Sequence, residues 1–165
     1  TYHMPIVITH TMNVFGPRQH AEKFIPMCIN KIRQGQVVEI HADAKKENAG
    51  SRFYIHAEDV ADALAHIINI PRFDATQKFG NQCQKFNIVG KEEVDNLSLA
   101  KMIAEALGQE LKYELVDFHS ARPGHDLRYA LSGARLMALG WWPRKSVRDR
   151  IKEVVEWSVN NPEWM

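Results

Sequence analysis

A chain of 165 residues falls within the usual single-domain range and is long enough to bury one core without disulfides or a structural metal. Apolar residues make up 45% and charged residues 25%, and the formal charge is +1, so the composition carries no general attraction to nucleic acid or to an acidic membrane. Any anion-binding site has to be local.

Cys28 and Cys83 make no disulfide or metal-ligand framework, and Cys28 falls inside an apolar helical pattern, which suits a reduced, cytoplasmic setting. No apolar run approaches the length of a membrane span, and no charged-then-apolar leader opens the chain. The eight histidines lack a metal-ligand spacing, which leaves metal catalysis without support.

The chain opens with Thr1-Tyr-His-Met-Pro5 running straight into Ile6-Val-Ile-Thr9, a β-branched run of the kind that fills a buried strand. With so little chain ahead of it, this strand (about residues 6–10) reads as the middle of a larger protein. Gly16-Pro17 then interrupts the loop at residues 11–19, and a loop that leaves a parallel strand at its carboxyl end is the usual place for ligand contacts. Phe24, Ile25, Cys28, Ile29 and Ile32 recur at helical spacing, with Pro26 tolerated in the first turn, which predicts a helix over about 23–34 that stops before Gly35.

Short strands are expected at Val37–Ile40 and Arg52–Ile55, on either side of a polar surface loop, Asp43 to Gly50. Val60, Leu64, Ile67 and Ile68 mark a helix over about 58–70, ended by Pro71, and a polar connection leads to the strand Lys85–Val89. Leu99, Ile103, Ala106 and Leu107 give one face of a further helix with Gly108 as its stop, and Lys112–Val116 is the next strand. Ser132 is placed to cap a short helix carrying Leu136 and Leu139 and ending at Gly140. Ser146 with Asp149 resembles a capping box ahead of the Val147, Ile151, Val154 and Val155 stripe. Strands alternating with helices predict one α/β or α+β domain over residues 1–165.

The stretch Arg122-Pro-Gly-His-Asp-Leu-Arg-Tyr129 concentrates two guanidiniums, an imidazole, a carboxylate and a phenol around a Pro-Gly hinge. Arginine suits phosphate oxygens because its planar fork donates in pairs and stays charged, so this stretch can clamp a phosphate or diphosphate, or it can be a solvated loop with local ion pairs.

Several separated segments together resemble one family. Asn13-Val-Phe-Gly-Pro-Arg-Gln19, Glu22-Lys-Phe-Ile-Pro26, Arg52-Phe-Tyr-Ile-His-Ala-Glu-Asp-Val-Ala61, Phe86-Asn-Ile-Val-Gly90, Arg122 to Tyr129, Leu139-Gly-Trp141 and Val155 to Trp164 occur in the order found in extended short-chain dehydrogenase/reductases acting on nucleotide sugars. Within that family the 4,6-dehydratases are nearest, and the resemblance runs along the whole chain but over only the carboxyl-terminal half of such an enzyme. It implies a substrate-binding portion of an NAD-dependent epimerase/dehydratase, with remnant strands of a Rossmann-type parallel sheet. In the intact relatives hydride passes from sugar C4 to NAD, water is lost across C5 and C6, and hydride returns at C6.

The glycine-rich turn and the Tyr-x-x-x-Lys pair of that family are not found here. Tyr2, Tyr54, Tyr113 and Tyr129 are the only tyrosines, and none is followed four residues later by lysine. The resemblance therefore implies no catalysis and no NAD binding by these residues alone.

For binding, it implies that Asn13 contacts the sugar diphosphate, that Lys23 and Phe24 approach the nucleotide at a helix entry, and that Arg52 reaches the diphosphate. It implies that Asn87 lies near the phosphates, that Arg122 is a second diphosphate arm, and that His125 and Tyr129 stand beside it. For Asn87, a side-chain bond to the backbone is the alternative. His41 stands where the family usually stacks a tyrosine or phenylalanine beside the base, and Val14 replaces a second asparagine. The loop from Asp43 to Ser51 and the connection from Arg72 to Gln84 are longer than usual. Trp157, Pro162 and Trp164 are expected to seal the core.

The expected partner is a dTDP- or UDP-linked sugar, with no nucleic acid and no membrane. Other readings are the same portion of an epimerase or decarboxylase, a non-catalytic remnant, and a split subunit. A split subunit would assemble with a separate Rossmann-domain partner, or self-associate, through the edge of the first strand.

Overall fold

A computed structural model describes residues 6–70, 83–117 and 126–165. In chain order the elements are β1 (Val7–Thr11), β2 (Val14–Phe15), α1 (Phe24–Arg33), β3 (Val38–Ala42), β4 (Ser51–Arg52), β5 (Ile55–His56), α2 (Ala57–Ile68), β6 (Gln84–Ile88), β7 (Val94–Asp95), α3 (Asn96–Leu107), β8 (Tyr113–Asp117), β9 (Arg128–Tyr129), α4 (Ala134–Ala138), α5 (Val147–Asn160) and a 3-10 turn at Pro162–Trp164. The fold is α/β, as the alternating pattern predicts. Most of the connection from Arg72 to Gln84, together with Arg122 and His125, lies outside the described residues.

Parallel pairing dominates. β1 pairs with β6 in parallel over Val7↔Gln84 to Thr11↔Ile88, and β3 pairs with β8 over Val38↔Tyr113 to Ala42↔Asp117. Parallel neighbours need a crossover, and α2 lies in the chain between β1 and β6 as α3 lies between β3 and β8. β2 pairs with β5, while the two-residue β4 lies between β7, antiparallel, and β9, parallel. The segment expected to be one strand over Arg52–Ile55 is therefore two: Ser51 and Arg52 pair to one side, Ile55 and His56 to another, and Phe53-Tyr54 joins them unpaired.

The helix boundaries follow local chemistry. Asp95 caps α3 by accepting from Ser98 N at 2.8 Å, and Gly108 ends it at φ 64, where glycine carries no Cβ penalty. Ser146 and Asp149 form the expected box on α5, with Asp149 N donating to Ser146 Oγ at 3.1 Å. α4 is the exception: Gly133, not Ser132, stands at its cap, and Ser132 Oγ accepts only from Ala134 N at 3.4 Å. His56 caps α2 through Nδ1, which accepts from Glu58 N at 3.2 Å. That assigns the ring proton to Nε2, which is buried without a hydrogen-bond partner among the described residues. Burial, then the charge of Arg150, pushes His56 below its ordinary pKa, consistent with a neutral ring.

Two apolar clusters form the interior. The larger joins Ile25, Cys28, Ile29 and Ile32 of α1, Val38 and Ile40 of β3, Leu99 and Ile103 of α3, and Ile151, Val154 and Val155 of α5. The smaller joins Ala63 and Ile67 of α2, Phe86 and Ile88 of β6, Ile55, Leu136 and Trp141. Trp164 and Pro162 do not seal either one: both are exposed, and the Arg18 guanidinium lies 5.3 Å from the Trp164 ring centroid, a contact available at the surface because indole keeps a π face there. Among the described residues no helix is long and apolar enough to cross a membrane.

Gly90 is a point of close approach. A Cβ there would lie 2.0 Å from the Tyr54 carbonyl oxygen, so the backbone behind Tyr54 leaves no room for a side chain. Gly90→Ala is expected to destabilise by at least about 3 kcal/mol, read as a lower urea midpoint at unchanged m-value. Cys28 is fully buried and its thiol is pushed up to about 12 by that burial, partly offset by Lys31. At pH 8 a thiol reagent is expected to label the half-buried Cys83 and to reach Cys28 only as the chain unfolds, as mass spectrometry of labelled peptides will show.

Candidate functional site

A cleft of about 710 Å³ opens between α1, β3 and β4 and is lined by Asn13, Glu22, Lys23, Phe24, Met27, Lys31, Glu39, His41, Gly50, Arg52, Tyr54, Asn96 and Leu127. Each wall has a local cause. On α1, Ile25, Cys28, Ile29 and Ile32 face the core, which turns Phe24, Met27 and Lys31, at i, i+3 and i+7, to the cleft. On β3, Val38, Ile40 and Ala42 are buried, so the alternation of a strand sends Glu39 and His41 to the opposite face. Asn13 sits in the loop after β1, and its carbonyl accepts from Ile55 N at 3.1 Å, tying that loop to β5.

Arg52 is the most constrained cation of this wall. Its Nη1 donates to the carbonyls of Ser51 at 2.6 Å and Leu127 at 2.7 Å, and its Nη2 donates to the carbonyl of Asp126 at 3.0 Å. The face of the guanidinium lies 4.8 Å from the ring centroid of Tyr129. A guanidinium has five N–H donors in a fixed fork, so these three bonds leave Nε–H and one Nη2–H without a partner among the described residues. Guanidinium donors of this kind match the oxygens of a carboxylate or phosphate.

Tyr54 stands deeper. Its hydroxyl donates to Asn96 Oδ1 at 2.6 Å, and burial, only partly offset by Arg52, raises its pKa well above the ordinary phenol value. It is a neutral hydrogen-bonding group at neutral pH, suited to orientation rather than to proton removal. The cleft as a whole presents Lys23, Lys31 and Arg52 as cations beside Glu22 and Glu39, with Phe24 and Met27 as apolar surface.

Of the residues singled out from sequence, Asn13, Lys23, Phe24, His41 and Arg52 line this one cleft, and Tyr129 reaches it through the Arg52 stack. Asn87 does not line it: its Nδ2 donates to the Ser132 carbonyl at 3.0 Å, and its Oδ1 is 3.3 Å from His10 Nδ1. Lys31, Glu39, Tyr54, Asn96 and Leu127 were not singled out. Glu39 was recoverable, since it shares the strand face of His41; Asn96 and Leu127 are brought in by chain folding and carry no local signal.

The NAD dependent epimerase/dehydratase family model matches residues 1–88. The chain is 32% identical over 163 residues to the low-salt glycan biosynthesis protein Agl12 of Haloferax volcanii, covering 99% of this chain and 48% of that protein. It is 30% identical over 164 residues to dTDP-glucose 4,6-dehydratase of Haemophilus influenzae, covering 98% and 47%. Among solved structures, dTDP-glucose 4,6-dehydratase of Bacillus anthracis in complex with NAD aligns with a TM-score of 0.80 at 25% identity, over 99% of this chain and 47% of that one. The chain thus spans about half the length of these relatives. With the family match over more than half of its residues and a shared α/β fold along nearly all of it, the chain belongs to the NAD dependent epimerase/dehydratase family, as an extended short-chain dehydrogenase/reductase.

Proposed function

We propose that this chain is the nucleotide-sugar-binding portion of an NAD-dependent nucleotide-sugar 4,6-dehydratase, and that the cleft at α1, β3 and β4 takes a dTDP- or UDP-linked sugar. The observation that carries this reading is the state of Arg52: backbone carbonyls and an aromatic face fix its guanidinium while two of its five N–H donors have no partner among the described residues and are available to an anion. A diphosphate on those donors leaves the nucleoside to the α1 and β3 side, where Phe24, Met27 and His41 offer apolar and π surface and Lys23 and Lys31 offer charge. Asn13 supplies a donor and an acceptor at the carboxyl end of β1, the position that serves ligands in open α/β sheets. Arg122, with His125 beside it, is the proposed second arm on the diphosphate.

These residues would contribute positioning, holding the reacting sugar in one place. In the family NAD supplies the hydride chemistry. We assign the side chains of this cleft to the sugar nucleotide. The epimerases of the same family share the fold, and the choice between dehydration and epimerisation belongs to residues that contact the sugar ring.

A second reading is favoured by the sheet. Among the described residues β1 pairs only with β6, so its other edge offers backbone donors and acceptors to a further strand. A separate Rossmann-domain partner, or a second copy of this chain, would fit that edge.

Titration calorimetry with UDP-glucose and dTDP-glucose is expected to show saturable binding to the folded chain. Arg52→Ala is expected to weaken it by about 2 kcal/mol, roughly thirtyfold, through loss of a charge-assisted pair of bonds, and Arg122→Ala by a similar factor. Absence of binding to a folded sample, or indifference to Arg52→Ala, would remove the reading.

A further inference from the structure

We propose that Glu93, which does not line the cleft, is a positioning residue for Arg52: its carboxylate clips Ser51 of β4 and Arg128 of β9 together, and so sets the Asp126 and Leu127 carbonyls, two of the three that hold the Arg52 guanidinium. This rests on reading the cleft as a nucleotide-sugar site, and it names what orients the ligand-facing edge of that site.

The geometry is a three-way junction. Glu93 Oε1 accepts from Ser51 Oγ at 2.5 Å and from Arg128 Nε at 2.7 Å, and Oε2 accepts from Arg128 Nη2 at 2.8 Å. Ser51 and Arg128 are also backbone partners in the β4–β9 register, followed at once by the Arg52↔Tyr129 pair. The clip therefore closes one residue away from both the guanidinium and the ring beneath it. On the same strand side, Ser51 N donates to the Leu127 carbonyl at 3.0 Å, and that oxygen also accepts from Arg52 Nη1. Gly50 permits this approach, since a Cβ there would lie 2.9 Å from Leu127 O.

Beyond its pairing with β4 and the Arg52 contacts, β9 has little among the described residues to hold it. It is two residues long with both side chains exposed, and a short strand that buries no face is marginal by itself. Without the clip, only the short β4–β9 pairing holds the Asp126 and Leu127 carbonyls in place, and the guanidinium they position gains freedom to turn its remaining donors away. Arg128, then Ser51, hold the Glu93 carboxyl down to about 2, so the clip stays ionised across the range in which binding is measured. The Arg128–Glu93 pair is solvent-exposed on the arginine side and adds little to global stability, which separates its positioning role from a folding role.

The sign of the effect is diagnostic. Neutralising an acidic side chain near an anion site strengthens anion binding if only Coulomb attraction matters. Positioning predicts the opposite. In calorimetric titrations of the 165-residue chain with UDP-glucose and dTDP-glucose, Glu93→Gln is expected to weaken binding about tenfold, with the melting temperature within about 2 °C of wild type. The NMR signal of the Arg52 Nε–H is expected to broaden or shift in the same variant. Ser51→Ala, which removes one arm of the clip, is expected to give a smaller loss and carries the test if Glu93→Gln does not fold. Exchange of the charges, Glu93→Arg with Arg128→Glu, is expected to recover most of the affinity.

Unchanged or tighter binding by Glu93→Gln, alongside weakened binding by Arg52→Ala, overturns the positioning role and leaves the site reading intact. A large drop in melting temperature with unchanged affinity per folded molecule overturns it as well, assigning Glu93 to the fold. No binding by wild type, or none of it dependent on Arg52, overturns the nucleotide-sugar reading and this inference with it.

Discussion

Arg150 is 7% exposed and carries its charge into the interior, where Asp59 accepts from Nη2 at 2.8 Å and from Nε at 3.1 Å. Its Nη1 donates to Glu58 at 2.7 Å and to Glu153 at 3.0 Å. A buried guanidinium is tolerable only when its charge is compensated and most of its donors are met, and here four bonds to three carboxylates take four of its five N–H groups. The pair joins α5, which packs the larger apolar cluster, to the start of α2, which packs the smaller one. Taking away one partner would leave an unpaired charge between two cores, so the Arg150–Asp59 pair links the two clusters.

The segment from Gly50 to His56 runs through that junction and shows how a few residues serve several neighbours. Tyr54 enters the larger cluster and Ile55, next in the chain, enters the smaller. Two residues earlier Arg52 emerges at the cleft, and one residue later His56 turns into the cap of α2. Gly90 lies close against Tyr54 from behind, which fixes the depth of the tyrosine and, with it, the floor of the cleft. The cleft is therefore set by the same contacts that hold the two clusters in register. This is the arrangement expected of a site that must keep its cation in one orientation.

The described side chains of that cleft have the chemistry to bind an anion. Its tyrosine is kept neutral by burial and bonded to Asn96, its arginine is held by carbonyls, and its lysines stand at the rim of a helix. Such a set can grip an anion and orient the group attached to it, and its specificity comes from fixed geometry rather than from net charge, which is close to zero.

The sequence by itself determined the α/β class, the long helices and longer strands, and most of the cation-bearing wall. Apolar spacing in α1, α2, α3 and α5 and alternation in β3 are local, whereas Lys23, Phe24 and Arg52 are marked by several segments resembling one family in order, and His41 by its departure from that family's aromatic. Two-residue strands such as β7 and β9 are too short to carry a period, and the break between β4 and β5 arises only because their neighbours differ. Asn87 matches its motif, yet its side chain ties β6 to the loop before α4. Glu93 meets Arg128 across 35 residues and Arg150 meets Asp59 across 91, and no propensity or spacing encodes such pairs. Tertiary structure decided them, because a charge chooses its partner by where the packed backbone brings it, after the apolar pattern has already fixed the elements.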